Sequence, residues 1–178
     1  MKLYVTRHGE TAWNRRDVVC GRTDLPLTER GLAQAEELAE RAAQTDIDLI
    51  LTSPLLRARQ TAQAVARRIG AEVIVEPLLI EQDFGVFEEG SRFDPDYQDY
   101  RQNFFRRFPG GGESVVMVAS RGYTLLRALP ERYPGKTPLL VSHGAFCRAL
   151  HTWFADTPNE AFSRFRLENC QLQEYELL

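Results

Sequence analysis

Two short runs in this 178-residue sequence set a histidine beside groups that can manage an anion. In "YVTRHGETAWN", residues 4–14, an apolar stretch stops on Arg7-His8-Gly9-Glu10. In "LLVSHGAFCRAL", residues 139–150, another stops on Ser142-His143-Gly144. Between them come Ser53-Pro54 and Arg57 after "IDLILT", and Glu81 after "VIVEPLLI". A neutral imidazole is a nucleophile, a guanidinium grips phosphate oxygens in pairs, and a carboxylic acid can protonate a leaving alkoxide. Phosphoryl transfer to histidine needs that set: a nitrogen in line with phosphorus, cations at the equatorial oxygens, and an acid.

Those residues are useful only if the fold gathers them. Leu3 to Thr6 read as a buried strand, followed by a helix in "LTERGLAQAEELAERAAQ" with Thr28 as N-cap and Leu32, Ala35, Leu38, Ala39 and Ala42 as its apolar face. "IDLILTSP" gives a second strand. A second helix is signed by Ser53 as cap, Pro54 at its first position and Gly70 at its end. Its stripe is Leu55, Ala58, Ala62, Val65 and Ile69. "AEVIVEPLLI" supplies a strand or two, "SVVMVASRGYTLLRALPERY" a helix, "TPLLVS" a strand and "AFCRALHTWF" a helix. The closing "SRFRLENCQLQEYELL" reads as a strand pair turning at Glu168-Asn169. Strands alternating with helices predict an α/β three-layer sandwich, a mostly parallel central sheet with helices on both faces. Ligands of such sheets bind beyond the carboxyl ends of the strands, where all the residues above fall. The expected organisation is one domain, 1–178, with 85–113 as a small lid insertion.

Composition narrows the classes. A formal net charge of −3 and a pI near 5.7 argue against a nucleic-acid partner. No apolar run approaches the roughly 20 residues that cross a bilayer, and "MKLYVT" reads as a strand rather than a leader. Three cysteines, Cys20, Cys147 and Cys170, suit reduced thiols in a cytoplasmic protein and supply no zinc site, so no metal is expected.

Taken together, Arg7-His8-Gly9-Glu10-Thr11, Asn14, Ser53-Pro54-Leu55 to Arg57-Ala58, Glu81 with Phe84-Gly85, and Ser142-His143-Gly144 resemble the histidine phosphatase superfamily, which includes cofactor-dependent phosphoglycerate mutases and small phosphatases. The resemblance implies His8 as nucleophile through Nε2, Arg7 and Arg57 as phosphate ligands, His143 as a cationic donor to the phosphoryl group, and Glu81 as general acid. It adds Asn14, the Cys20-Gly21 turn and Gly144 as substrate contacts. Gly9 clears the approach to the nucleophile, and the helix carrying Arg57 offers its N-terminus to the same anion. Arg7 and Arg57 disfavour the imidazolium of His8. Glu10 is a rival acid, read as a local hydrogen-bonding partner; Ser53 reads as a cap or as part of the site. Arg22 and Arg59 are read as surface charges or as additions to the site, and His151 as structural.

The sequence departs from the family pattern at "FGVFEEG", where Glu88 or Glu89 adds charge near the rim that either disfavours a second phosphate on the substrate or faces solvent. The following stretch carries Phe93, Tyr97, Tyr100, Phe104, Phe105 and Phe108 among Arg92, Arg101, Arg106 and Arg107. It reads as a helix packing on the body or as a pocket wall, with "GGGES" flexible enough to let it move. The family's mutases generally carry a longer insertion and a tail that excludes water. The short stretch 82–142 and a sequence ending on a strand pattern therefore favour a phosphomonoesterase working through phosphohistidine on a small phosphorylated metabolite. The alternative is a phosphoglycerate mutase-type phosphotransferase, and after it a non-catalytic phosphate binder. No cofactor is expected, except 2,3-bisphosphoglycerate for a mutase. A small phosphorylated substrate is the one partner expected, with no nucleic acid or membrane; a homodimer is left open.

Overall fold

The computed structural model describes residues 1–177. Five strands form one sheet: β1 (Lys2–Arg7), β2 (Leu49–Thr52), β3 (Glu72–Val75), β4 (Pro138–Ser142) and β5 (Leu172–Glu176), in the order β3-β2-β4-β1-β5. The first four run parallel, and β5 lies antiparallel along β1 at the edge. Seven helices surround them: α1 (Ala12–Arg15), α2 (Glu29–Ala42), α3 (Leu56–Ile69), α4 (Pro95–Gln102), α5 (Val115–Arg132), α6 (Gly144–His151) and α7 (Asn159–Arg164).

The period-2 alternation of the strands builds two cores. Leu3, Val5, Leu49, Leu51 and Leu140 face Leu125, Leu126 and Leu129 of α5 and Phe146 and Leu150 of α6. Tyr4, Ile50, Leu139 and Val141 face Ala35, Leu38 and Ala39 of α2 and Ala58, Ala62 and Val65 of α3. The alanines of this second layer let helices and sheet approach closely, which fits the strand-like runs of small and branched residues. This is the expected three-layer architecture.

The sequence reading needs correction at several places. Leu32 is 46% exposed, because it stands at the edge of the stripe and opens onto a surface hollow between α2 and α3. The N-cap of α3 is Leu55 rather than Ser53, so Pro54 precedes the helix. After β3 the chain makes a 3-10 turn at Pro77–Leu79 instead of a second strand. The closing segment gives β5 alone: residues 165–168 are held by side-chain packing and not by strand pairing, with Phe165 stacked on His151 at 4.0 Å between ring centroids.

Residues 85–113 fold as a 3-10 turn (Gly85–Phe87), α4 and connecting loops. Phe84, Phe87, Tyr97, Tyr100 and Phe108 make a small aromatic core of their own with Val19, and Phe84 and Phe108 meet edge-on at 5.2 Å. Phe93 and Phe105 stay 74% and 85% exposed. The glycine run is called for by backbone conformation and flanked by hydrogen bonds: Gly110 and Gly111 take positive φ, Val86 N–H donates to Pro109 O at 3.0 Å, and Glu113 N–H to Asp83 O at 2.9 Å.

Gly9 also has a different cause from the one expected. A Cβ there would come within 2.4 Å of Gly31 O, and a Cβ on Gly31 within 2.1 Å of Glu10 O. The two glycines let the start of α2 lie backbone to backbone against the strand exit that carries His8. Gly9→Ala should cost about 2 kcal/mol by overpacking, a fall of about 4–8 °C in melting temperature for a chain this size. A thermal melt unchanged from the parent would show that this contact is not tight.

Candidate active site

Parallel register sets the site. Arg7 pairs with Ser142 and Thr52 with Val141, so His8, Ser53 and His143 all emerge at one end of the three central strands. The His8 and His143 rings lie 5.1 Å apart between centroids, both buried. A cleft of about 230 Å³ opens above them, lined by Arg7, His8, Asn14, Cys20, Glu81 and Gly144, by Arg92, Tyr97 and Arg101 of the 85–113 segment, and by Arg148 and residues 165–167.

Hydrogen bonds fix the state of His8. Its Nδ1 lies 2.7 Å from Gly9 O, and Arg57 Nε–H donates to its Nε2 at 3.2 Å. A carbonyl can only accept, so Nδ1 carries the proton and Nε2 the lone pair. Burial, and after it the charges of Arg57 and Arg7, holds the imidazole well below the ordinary histidine pKa. The arginine effect expected from sequence is present, with desolvation ahead of it. Asn169 Nδ2–H anchors the His8 carbonyl at 2.6 Å, a contact hidden in what looked like a simple turn.

Arg57 differs from expectation. It is fully buried beneath the cleft, and besides His8 it donates to Thr23 O at 2.8 Å and Gly21 O at 2.7 Å. The N-terminus of α3 is already occupied, since Leu56 N–H donates to Asp24 Oδ1 at 2.6 Å. Arg57 therefore satisfies its donors on His8 and two carbonyls, and the Asp24 carboxylate sits at the helix end. Gly21 enters the site through its carbonyl, under the cleft rather than in its wall.

His143 also departs from the cationic donor expected. Burial, then Arg57 and His8, keep it well below its ordinary pKa, so it is neutral. Its Nε2 lies 2.7 Å from Ser53 Oγ, which also accepts from Leu55 N–H. If the hydroxyl proton goes to Nε2, Nδ1 carries the ring proton, and Nδ1 has no partner among the described residues. Ser53 is thus neither a bystander nor the helix cap.

Glu81 accepts three backbone N–H bonds: from Gln82 at 2.8 Å and Phe146 at 3.0 Å on Oε1, and from Ala145 at 3.1 Å on Oε2. These bonds tie it to the start of α6 at the cleft wall. Asn14 lines the cleft while its Oδ1 accepts from Thr11 N–H at 3.1 Å. Cys20 lines it too, with its thiol pushed up to about 11, mainly by burial. Glu10 turns away, accepting from Thr28 at 2.9 Å, as a local partner.

Glu88 corrects the rim argument. Its carboxylate accepts from Gly21, Arg22 and Thr23 N–H and from the Thr23 hydroxyl, holding the 20–23 loop instead of facing a ligand. Arg22 pairs with Asp83 and Glu113, and Arg59 borders a separate surface hollow between α2 and α3. Sequence reasoning missed Arg148, Phe165 and Arg166 in the cleft wall. The signal available was Arg148 at five residues after His143 on a helix whose first turn belongs to the site.

Among the described residues, three buried side-chain nitrogens lack partners: Arg7 Nε, His143 Nδ1 and Arg148 Nε. Arg7 and Arg148 line the cleft and His143 abuts His8. No group of three or more His, Cys, Asp or Glu side chains there could hold a metal ion, and no helix is long and apolar enough to cross a membrane.

Comparison with known proteins places this geometry. A family model for the histidine phosphatase superfamily (branch 1) matches residues 3–177. A probable phosphoglycerate mutase of Cronobacter sakazakii is 36% identical over 178 residues, covering 97% of this chain and 83% of its own. The mycobacterial glucosyl-3-phosphoglycerate phosphatase superposes with a TM-score of 0.86 at 27% identity, covering 97% of this chain and 88% of that one. The alpha-ribazole phosphatase of Shigella flexneri does so at 0.85 and 28%, covering 98% and 89%. The chain belongs to branch 1 of the histidine phosphatase superfamily.

Proposed function

We propose that the chain is a phosphomonoesterase that transfers the phosphoryl group of a small metabolite to His8 and then to water. The observation that carries this reading is a buried neutral imidazole with its lone pair on Nε2, beside two buried nitrogens without partners, Arg7 Nε and His143 Nδ1, the second a donor when Ser53 gives its proton to His143 Nε2. Buried polar atoms are rarely left unpaired, and an incoming phosphoryl oxygen would satisfy both. Arg57 Nε steadies Nε2 before attack. Glu81 is the acid for the leaving oxygen and the base for the attacking water, and Asn14, Cys20 and Gly144 shape the wall. Arginines supply the positive charge that equatorial oxygens require, so the reading calls on no metal or organic cofactor. A small phosphorylated substrate is the partner, no nucleic acid or membrane is involved, and a homodimer stays open. Three free, buried cysteines support a cytoplasmic setting.

A mutase is the second reading, favoured by the name of the Cronobacter relative. It would use 2,3-bisphosphoglycerate to prime His8. Phosphate-release assays over a panel of phosphomonoesters, run beside conversion of 3-phosphoglycerate to its 2-isomer, separate the two. Release supports the phosphatase; isomer conversion without release replaces it with the mutase.

His8→Ala should abolish turnover with cooperative unfolding retained, and retained turnover would remove the mechanism. Glu81→Gln should slow alkyl phosphates by about 10²-fold or more and aryl phosphates far less, because aryl leaving groups need little protonation. Equal losses on both would take the acid role away from Glu81.

Ser53→Ala frees the His143 tautomer. The expected result is a fall of roughly tenfold in kcat with KM nearly unchanged, since one transition-state donor is misoriented part of the time. A changed KM with kcat intact would mean that Ser53 serves binding or structure only.

All three histidines lie below their ordinary pKa of 6.5 in the folded chain, with burial the leading cause in each. The unfolded chain therefore binds more protons as pH drops through 6.5, and stability, fully present above that value, is lost below it. Denaturant midpoints should decline from pH 7.5 to 5.5. A midpoint that rises over this window would mean that the histidines are charged when folded.

A further inference from the structure

Strand register places Arg7, His8, Ser53 and His143, but it does not reach Glu81. After the 3-10 turn at Pro77–Leu79, residues 80–84 lie in neither helix nor strand. A general acid must stand within hydrogen-bond reach of one leaving oxygen. An irregular segment that carries one has to be held by something other than the sheet.

The Glu81 carboxylate is tied to the start of α6, but its backbone is held by a cluster outside the cleft. Arg121 of α5 meets Glu113 side-on, with Nε donating to Oε1 at 3.2 Å and Nη2 to Oε2 at 3.3 Å. Two arms run from this pair to the acid segment. On one side Arg121 Nη1 donates to Leu78 O at 2.6 Å, three residues before Glu81. On the other, Asp83 N–H donates to Glu113 Oε2 at 3.1 Å, Glu113 N–H to Asp83 O at 2.9 Å, and Gln82 Nε2 to Glu113 O at 3.1 Å. The ion pair thus grips the chain before and after Glu81.

A plain stitch between α5 and the base of the 85–113 segment would need only Arg121 on Glu113. It would not need the remaining guanidinium nitrogen on Leu78 O, or three bonds converging on residues 82 and 83. The two side chains are 13% and 12% exposed, and an ion pair so far out of water adds little to stability over apolar packing of the same volume. The Arg121 guanidinium carbon also lies 5.0 Å from the centroid of the Phe146 ring, and Phe146 N–H is one of the donors to Glu81. One side chain therefore touches both the segment that carries the acid and a residue that orients its carboxylate.

We infer that Arg121 and Glu113 are positioning residues for the acid, holding the irregular 78–83 segment so that Glu81 stands at the leaving oxygen. This rests on Glu81 as the general acid of the proposed phosphomonoesterase and adds two residues that act through it. Neither lines the cleft, so neither meets the substrate. The planar fork is essential: a lysine at 121 keeps the charge but cannot serve Glu113 twice and Leu78 O at once.

The test compares kcat/KM, which covers the steps up to departure of the leaving group, for glycerol 3-phosphate and p-nitrophenyl phosphate. Arg121→Lys should lower the alkyl value about tenfold and leave the aryl value within about twofold, because only the alkoxide needs the acid. A merely structural pair would lower both alike or neither. In the Glu81→Gln background, Arg121→Lys should cost the alkyl ester nothing further, since residues that act as one unit are not additive. Gln82→Met cuts a single hydrogen bond and keeps the ion pair; it should show the same selectivity at about threefold and serves if Arg121→Lys does not fold. Equal losses on the two esters, or losses that multiply with Glu81→Gln, would overturn the positioning role while a selective Glu81→Gln left the acid in place. An unselective Glu81→Gln, or no release from the alkyl ester by the unaltered chain, would remove the acid and this inference together.

Discussion

A buried guanidinium with no carboxylate beside it is the constraint around which this site is arranged. Arg57 has been taken wholly out of water, a state that costs several kcal/mol unless its donors are met. Two of its bonds go to the carbonyls of Gly21 and Thr23, and the third goes to the lone pair of His8. Carbonyls solvate the cation without cancelling it, so its charge still acts on the imidazole it touches. A carboxylate partner in the same place would have neutralised that charge and, by the same Coulomb argument, pulled His8 toward its protonated form.

The rest of the architecture follows from keeping that bond in place. The 20–23 loop must present two carbonyls inward, and Glu88 does this from outside by accepting from three of its N–H groups. His8 must not rotate, and Gly9 O, Asn169 and the contact between Gly9 and Gly31 restrain its ring and backbone from three directions. Thr61 links the two elements directly: its hydroxyl accepts from Gly9 N–H at 3.1 Å and donates to Arg57 O at 2.8 Å. Residues that look like ordinary surface or turn positions in sequence are therefore the restraints on the nucleophile.

This division explains what the sequence disclosed. The strand exits at Arg7-His8, Ser53 and Ser142-His143 were legible because strand and helix periods are local, and a parallel sheet then sends all of them to one end. The three-layer fold was legible for the same reason. The role of Ser53 was not, because serine before a helix reads as a cap, and only the position of His143 across the sheet turns its hydroxyl away from that task. Glu88 seemed a rim charge for want of knowing that the 20–23 amides face it. Residues 165–168 seemed a strand because Phe165 and Leu167 alternate with Arg166 and Glu168. Packing on His151 and the core fixes those two side chains without any β ladder.

The same contrast separates transfer from selection within the cleft. In the proposed reaction the groups at the phosphoryl position, Arg7, His8 and His143, come from strand ends, where parallel hydrogen bonding leaves little freedom and register places side chains closely. Groups that would read the rest of a substrate come from α4, from the second turn of α6 and from residues 165–167, which the strand register does not fix. Their positions depend on aromatic contacts such as Phe104 on Phe162 and Phe165 on His151, so they can change with few substitutions while the strand-end geometry stays as it is. The two sets of cations therefore lie in separate layers, the arginines of the wall facing the cleft and Arg57 held by carbonyls and His8 beneath it.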